Sequence, residues 1–302
     1  WGPRLWNLDP IPAVLSEADW SLLEEGLTQR ARFLNLLLED AYGQQQLLKS
    51  NQLPPELYYK NPRWLTPCHG RVDSDLARLM FYAVDLIRDE RGQWWVLRDR
   101  TQCAVGFGAA LENRRWMARA YHEIFSQQLI QPLAPAYQAL RSSLAELSQP
   151  ARGARMVMLT STAGSAQTAD DAALAHFLGC PLVEGEDLTV RGGCVYLKLL
   201  EGLQPVDVLL RRIPDHESDP LEMPPGNWPG LVALLQAVRL GNVVVTNSLG
   251  SGWLESPSLG CFMSQRCQSL LRENLILPDM PARWSSQLPA QGDWVARRLE
   301  GG

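Results

Sequence analysis

The stretch "LRDRTQCAVGFGAALENR", residues 97–114, decides how this chain is read. It is wrong for one continuous helix and too poor in glycine for a nucleotide loop. Its carboxylates Asp99 and Glu112 stand 13 residues apart, with Asn113 directly behind the second. Upstream, "LMFYAVDLIRDERGQWWVLRDR" (79–100) is two β-prone runs around a "DERG" turn, so Asp99 closes the second strand of a hairpin. Downstream, Leu111, Met117, Tyr121, Ile124 and Phe125 predict a helix from about 111 to 127 that opens with Glu112 and Asn113. Magnesium prefers hard oxygen ligands and commonly bridges one or two carboxylates to phosphates. An Asp on a strand with Glu and Asn arriving from a nearby turn is a sensible set, and Arg98, Arg100, Arg114 and Arg115 could balance phosphate charge. The plain alternative is acids and arginines paired on a solvated surface.

Towards the N-terminus, Ser16 followed by Asp19 starts a helix in the manner of a capping box. Trp20, Leu23, Leu27, Ala31, Leu34, Leu38 and Ala41 form its apolar stripe, and Gly43 stops it. Residues 53–70, with four prolines, predict an extended connector. Residues 1–15 and the closing "LEGG" begin and end abruptly, as a fragment would.

From Arg155 the pattern changes to strand "RMVMLT", helix "TADDAALAHFLG", strand "PLVEG", hairpin "DLTVRGGCVYLK", strand "VDVLLRRI", helix "PGLVALLQAVRLG" and strand "NVVVTN". Short apolar runs alternating with helical ones predict a mostly parallel sheet wrapped by helices. The segment "ELSQPARGAR" is the natural joint, which puts a boundary near residue 150. Ligands of open α/β sheets collect at the carboxyl ends of the strands; here those ends read "TSTAGS", "RRIPDHESDP" and "NSLGSGWLES".

Composition narrows the function. Over 302 residues the formal charge is −5, with 46% hydrophobic and 20% charged residues. That is a globular balance, and it argues against nucleic acid, whose binding needs a basic face. No apolar run is long enough to cross a bilayer and the first residues do not resemble a signal peptide, so a cytoplasmic location without membrane contact is expected. Six cysteines with no C-x-x-C pair and four scattered histidines exclude the usual zinc spacings and suggest free thiols.

Three further segments offer polar groups. In "VTNSLGSGWLESP" (245–257) Gly-Ser-Gly follows a strand, and free N–H groups near a helix start can hold an anion; an ordinary turn and cap is the alternative. In "LLRRIPDHESDPLE" (209–222) Arg211 and Arg212 face opposite sides of a strand, so one could bind an anion while the other packs or pairs outside, beside Asp215, Asp219 and Glu222. Glu184, Glu186 and Asp187 read as an acidic turn rather than a metal cluster. There is no G-x-S-x-G elbow and no support for nucleophilic catalysis.

These strings, together with "WNLDPIPAVLSEADW", "QRARFLNLLLEDAYG", "LPPELYYKNP", "LQPVDVLLRR" and "GNVVVTNSLGSGWLESP", resemble in consecutive order the circularly permuted type-2 ATP-grasp family, similar to glutathionylspermidine synthase. The resemblance implies an α/β, circularly permuted ATP-grasp-like fold. Residues 1–150 would supply N-terminal helices and a metal-binding hairpin, residues 151–284 a Rossmann-like parallel-sheet domain, and 285–302 the start of the remaining ATP-grasp part. It implies ATP-driven joining of a small-molecule or peptide carboxylate to an amine through an acyl phosphate, with ATP and Mg2+ as cofactors. Asp99, Glu112 and Asn113 would hold the metal, Arg100, Arg114 and Arg211 would steady phosphate or carboxylate, and Asn247, Gly250, Ser251 and Gly252 would contact cofactor or acceptor. On this reading Asp99→Asn abolishes turnover and leaves folding nearly intact. A fused or associated helical domain is a further possibility.

Three departures qualify it. Where the family has an aromatic, acid-rich loop, residues 161–176 read "STAGSAQTADDAALAH"; "ESDPLEM" replaces "FCDPLEL"; and the chain stops at Gly302 with only Lys49, Lys60 and Lys198, so it would lack much of the adenine pocket. The alternative is a non-catalytic member that keeps the fold to bind a peptide or partner domain. A Rossmann-type nucleotide transferase is weaker, because no glycine fingerprint is present.

Overall fold

The computed structural model describes residues 13–70, 78–127, 130–147, 155–161, 166–223 and 229–284. Helix α1 (Glu17–Tyr42) starts where Ser16 accepts a hydrogen bond from the Asp19 N–H and ends at Gly43. Its buried side includes Leu23, Phe33, Leu34, Leu37, Leu38 and Ala41, whereas Trp20 lies exposed. The proline-rich connector is not fully extended: α2 (Gln46–Lys49), α3 (Glu56–Tyr59) and a 3₁₀ turn at Thr66–Cys68 punctuate it. Pro54 and Pro55 precede α3 and cost it little, because the first N–H groups of a helix have no intrahelical partner.

Strands β1 (Ala83–Arg88) and β2 (Trp94–Arg100) form the expected antiparallel hairpin. Helix α4 (Phe107–Ala120) begins four residues earlier than Leu111, so Glu112 and Asn113 lie inside the helix rather than at its mouth. The start is fixed from outside. Asp170 accepts the backbone N–H groups of Gly106 and Ala109, which caps α4 from a distant segment. Helices α5 (His122–Gln127) and α6 (Ala134–Glu146) follow.

The second pattern holds as a four-stranded parallel sheet in the order β4-β3-β8-β9, from β3 (Met156–Leu159), β4 (Leu182–Val183), β8 (Val208–Arg211) and β9 (Val244–Thr246). Helix α7 (Ala166–Leu178) connects β3 to β4. The Gly-Gly hairpin belongs to a separate antiparallel meander of β5 (Leu188–Arg191), β6 (Cys194–Leu199) and β7 (Gly202–Val206), whose third strand the sequence reading did not separate. Helix α8 (Leu234–Arg239) is shorter than its apolar run, because Ala233 takes a left-handed conformation and Asp219 accepts the N–H groups of Ala233 and Leu235 there. Helix α9 (Met263–Leu271) is the last of the described helices and packs on α1. The predicted joint at 146–155 falls largely outside the described residues. Both main apolar clusters draw side chains from either side of residue 150.

Aromatic packing ties α1 and the connector to the loop after β9. Tyr42 and Trp64 stack at 4.3 Å, and Tyr58 and Trp64 meet the fully buried Trp253, whose indole N–H donates to the Leu57 carbonyl. Gly250, at φ +91°, lets the backbone pass this cluster; a Cβ there would sit 2.6 Å from the Tyr42 ring. Gly250→Ala is expected to lower stability by at least about 2 kcal/mol, the sum of left-handed strain and overpacking, measured by urea denaturation.

Candidate functional site

The segments 209–222 and 245–257 converge on the end of β2, and most of their polar groups are spent holding the fold together, whereas residues 162–165 of "TSTAGS" lie outside the described residues. Asn247, at the end of β9, accepts the N–H groups of Met80 and Phe81 on Oδ1 (2.9 Å each) and donates through Nδ2 to the carbonyls of Phe81 and Thr101. One side chain thus holds both the entry and the exit of the β1–β2 hairpin. Thr101 donates to the Ser251 carbonyl, and Glu255 accepts the N–H groups of Thr101 and Gln102 while pairing with Arg63 at 3.0 Å. The Gly252 N–H donates to Asp215, whose own N–H donates to Gln102. Asn247, Ser251 and Gly252, expected at a cofactor, are therefore engaged inside the protein, and Gly250 faces Tyr42.

Arg211 and Arg212 are both buried, so neither packs outside as anticipated. The Arg211 guanidinium meets the carbonyls of Ile213, Asn247 and Ser248, the Ser251 hydroxyl, and Asp215 at 2.7 Å. Expected at a substrate anion, it is committed here to backbone and Asp215. Arg212 turns to the other face of the sheet, pairs with Asp171 at 2.7 Å and donates to the Ala104 carbonyl. Asp171 also accepts from Thr160, and burial pushes its carboxyl up against the pull of Arg212. The acids of the divergent 161–176 segment thus serve α4 and Arg212. Glu184 and Asp187 form a capping box around a 3₁₀ turn, as the plain reading had it.

Asp99 faces inward, onto α1. Arg30 donates to it bidentately, Nε to Oδ1 at 2.7 Å and Nη2 to Oδ2 at 2.8 Å, and the Tyr82 hydroxyl adds a bond to Oδ1 at 2.6 Å. Arg30 also reaches Asp279 at 2.5 Å. Burial opposes the Arg30 charge, and the two carboxylates overrule it and hold the guanidinium well above its ordinary range. Burial, then the Asp99 charge, keeps the Tyr82 hydroxyl protonated. Sequence reasoning missed this cluster, because Arg30 occupies the apolar stripe of α1 and the 278–280 segment has no pattern of its own.

The other expected site residues lie nearer solvent. Glu112 pairs with Arg115 at 2.6 Å on α4, Asn113 is half-buried beside it, Arg114 lies over the Phe125 ring, and Arg100 pairs with Asp85 at 2.9 Å. None of Asp99, Glu112 and Asn113 hydrogen-bonds another. Among the described residues no group of three His, Cys, Asp or Glu could hold a metal ion. Asp99 is paired with Arg30 of α1 and Glu112 with Arg115 on α4, so the three do not fit magnesium as a set. A cleft of about 50 Å³ opens by Asp99 and Asp279 beside Arg98, Leu254 and Glu255. That is far below the roughly 300–1,000 Å³ of a small-molecule site.

The chain belongs to the circularly permuted ATP-grasp type 2 family, whose model it matches over residues 12–301. Proteins of the ATP-grasp class generally bind ATP with Mg2+. The chain is 38% identical over 283 residues to the uncharacterized protein Rv2567 of Mycobacterium tuberculosis, covering 93% of this chain and 32% of that one. It is 32% identical to the uncharacterized proteins sll0335 of Synechocystis sp. and ML0605 of Mycobacterium leprae, covering 92% of this chain and 58% and 50% of theirs. The chain therefore spans between a third and somewhat over half of these relatives. No helix among the described residues is long and apolar enough to cross a membrane.

Two measurements check the framework roles. Asn247→Ala leaves two buried N–H groups and two carbonyls without partners and is expected to destabilise by about 3 kcal/mol or more in urea unfolding. The thiols of Cys103 and Cys180, both pushed up to about 11 by burial, should resist iodoacetamide at pH 8 in the native protein and react on unfolding.

Proposed function

We propose that the protein to which this chain belongs is an ATP-dependent ligase that joins a carboxylate to an amine. The observation that carries this reading is the family match over nearly the whole chain. A carboxylate oxygen attacks the γ-phosphorus of ATP and ADP leaves. The amine then attacks the acyl carbon, phosphate leaves and the amine loses a proton. Such chemistry needs positioned positive charge and no enzyme nucleophile, in keeping with the absence of a nucleophile motif. Arg100 and Arg114 are the residues proposed to meet phosphate or carboxylate. Glu112 and Asn113, on a half-buried face of α4, remain candidates for the metal side of the nucleotide.

A second reading, a non-catalytic member that binds a peptide or partner domain, is favoured by one observation. Asp170 and Asp171, the acids of the segment that departs from the family, are consumed by α4 and Arg212.

Hydroxylamine trapping separates the two. Full-length protein with Mg-ATP and a panel of carboxylates is expected to give ADP together with an acyl hydroxamate for at least one acid. Loss of most of that signal in Arg114→Ala would place the arginine at the reacting groups. A protein that forms neither ADP nor hydroxamate with any acid or amine, yet binds a protein partner, belongs to the second reading.

A further inference from the structure

Asp99 stands under two opposite demands. A metal-binding carboxylate keeps an oxygen turned to the ion, whereas Asp99 turns both towards Arg30 and Tyr82. A β-bulge aims it there. Asp85 faces Arg98 and Leu86 faces Val96, so Leu97 is the extra residue on β2. The insertion resets the alternation, so Val96 and Asp99, three positions apart, both point into the protein while Leu97 and Arg98 are exposed. Without it, strand alternation would send one of the two to the opposite face.

What Asp99 meets is a cluster whose members come from distant parts of the chain. Arg30 on α1 is 1% exposed. Tyr82 lies just before β1, and Asp279 belongs to a segment that runs alongside β2: the Val96 N–H donates to the Pro278 carbonyl and the Met280 N–H to that of Val96. Removing Asp99 leaves the buried Arg30 with Asp279 as its remaining carboxylate and its Nε without an acceptor, and breaking a buried ion network from one side is the costliest way to break it.

We infer that Asp99 is a framework carboxylate. With Arg30, Tyr82 and Asp279 it locks the β1–β2 hairpin to α1 and to residues 278–280, and it supplies no ligand to a metal. The first half stands on the geometry alone. The second half rests on the ATP-grasp reading and assigns any metal that arrives with nucleotide to other residues.

Thermal unfolding and calorimetric titration with Mn2+ and ATP, on full-length wild type, Asp99→Asn and Tyr82→Phe, test both halves. Asp99→Asn is expected to lower Tm by about 5–10 °C and Tyr82→Phe by about 2–4 °C, each leaving the Mn2+-ATP Kd within about twofold, a free-energy change well under 1 kcal/mol. Combining Arg30→Met, Asp99→Leu and Asp279→Asn removes the three charges together and should recover part of the Tm lost in Asp99→Asn. The inference is overturned if Asp99→Asn shifts Tm by less than about 2 °C. It is equally overturned if either single variant raises the Mn2+-ATP Kd about tenfold or more well below its Tm, the 1.4 kcal/mol expected of a lost ligand. Should Asp99→Asn fail to fold, the framework role is supported and the variant without the three charges, in which the Asp99 carboxylate is gone, decides the metal through its Mn2+-ATP Kd. A wild type that binds no nucleotide counts against the ligase reading, and the Tm comparison still decides the role of Asp99.

Discussion

The fold depends on how a two-stranded hairpin is attached to a parallel sheet that it does not extend. A lone hairpin is marginal in water, so β1–β2 needs anchoring from outside. Asn247 provides it with four hydrogen bonds from one amide, gripping the chain where it enters β1 and where it leaves β2. Around that grip, Thr101, Glu255, Gln102 and Asp215 stitch the end of β2 to the loop following β9. Buried polar groups need partners, and here the partners lie on the opposite side of each junction, so satisfying them also fixes the relative placement of the elements.

Charge is used in the same way. Arg30, Arg211 and Arg212 are all buried and all paired with acids from other elements or loops. Arginine suits these positions because its planar fork spreads several donors in fixed directions. In place of one continuous apolar interior, the elements meet across polar seams between apolar clusters.

The sequence made the periodic features legible. The α1 stripe with its Ser16 cap, the hairpin around "DERG", and the β3, β4, β8 and β9 strands all follow from spacing that a window of ten residues contains. The start of α4 was hidden, because its cap, Asp170, lies some sixty residues away in sequence. The bulge at Leu97 was hidden too, since a single extra residue leaves no compositional mark, yet it decides which way Asp99 points. The polar residues at the strand ends were located correctly as residues that matter, but their partners come from remote segments. Sequence spacing could not tell a group reserved for a ligand from one already satisfied by the protein. Arg211 and Asn247 are the clearest instances.

Helix α1 also bears on how the chain acquires its structure. Gln29 donates to the Asn274 carbonyl and accepts from the Ile276 N–H, and Gly26 allows Leu277 to pack at the helix surface. These contacts close loops of about 250 residues, whose closure slows folding relative to locally stabilised domains. During synthesis helix α1 leaves the ribosome long before residue 279, so its buried arginine waits for the second of its two carboxylates, Asp279, until nearly the whole described chain has emerged. Helix α1 is therefore a late-completed part of the molecule, and its apolar stripe stays uncovered until the segment around residues 274–279 that packs on it has been made.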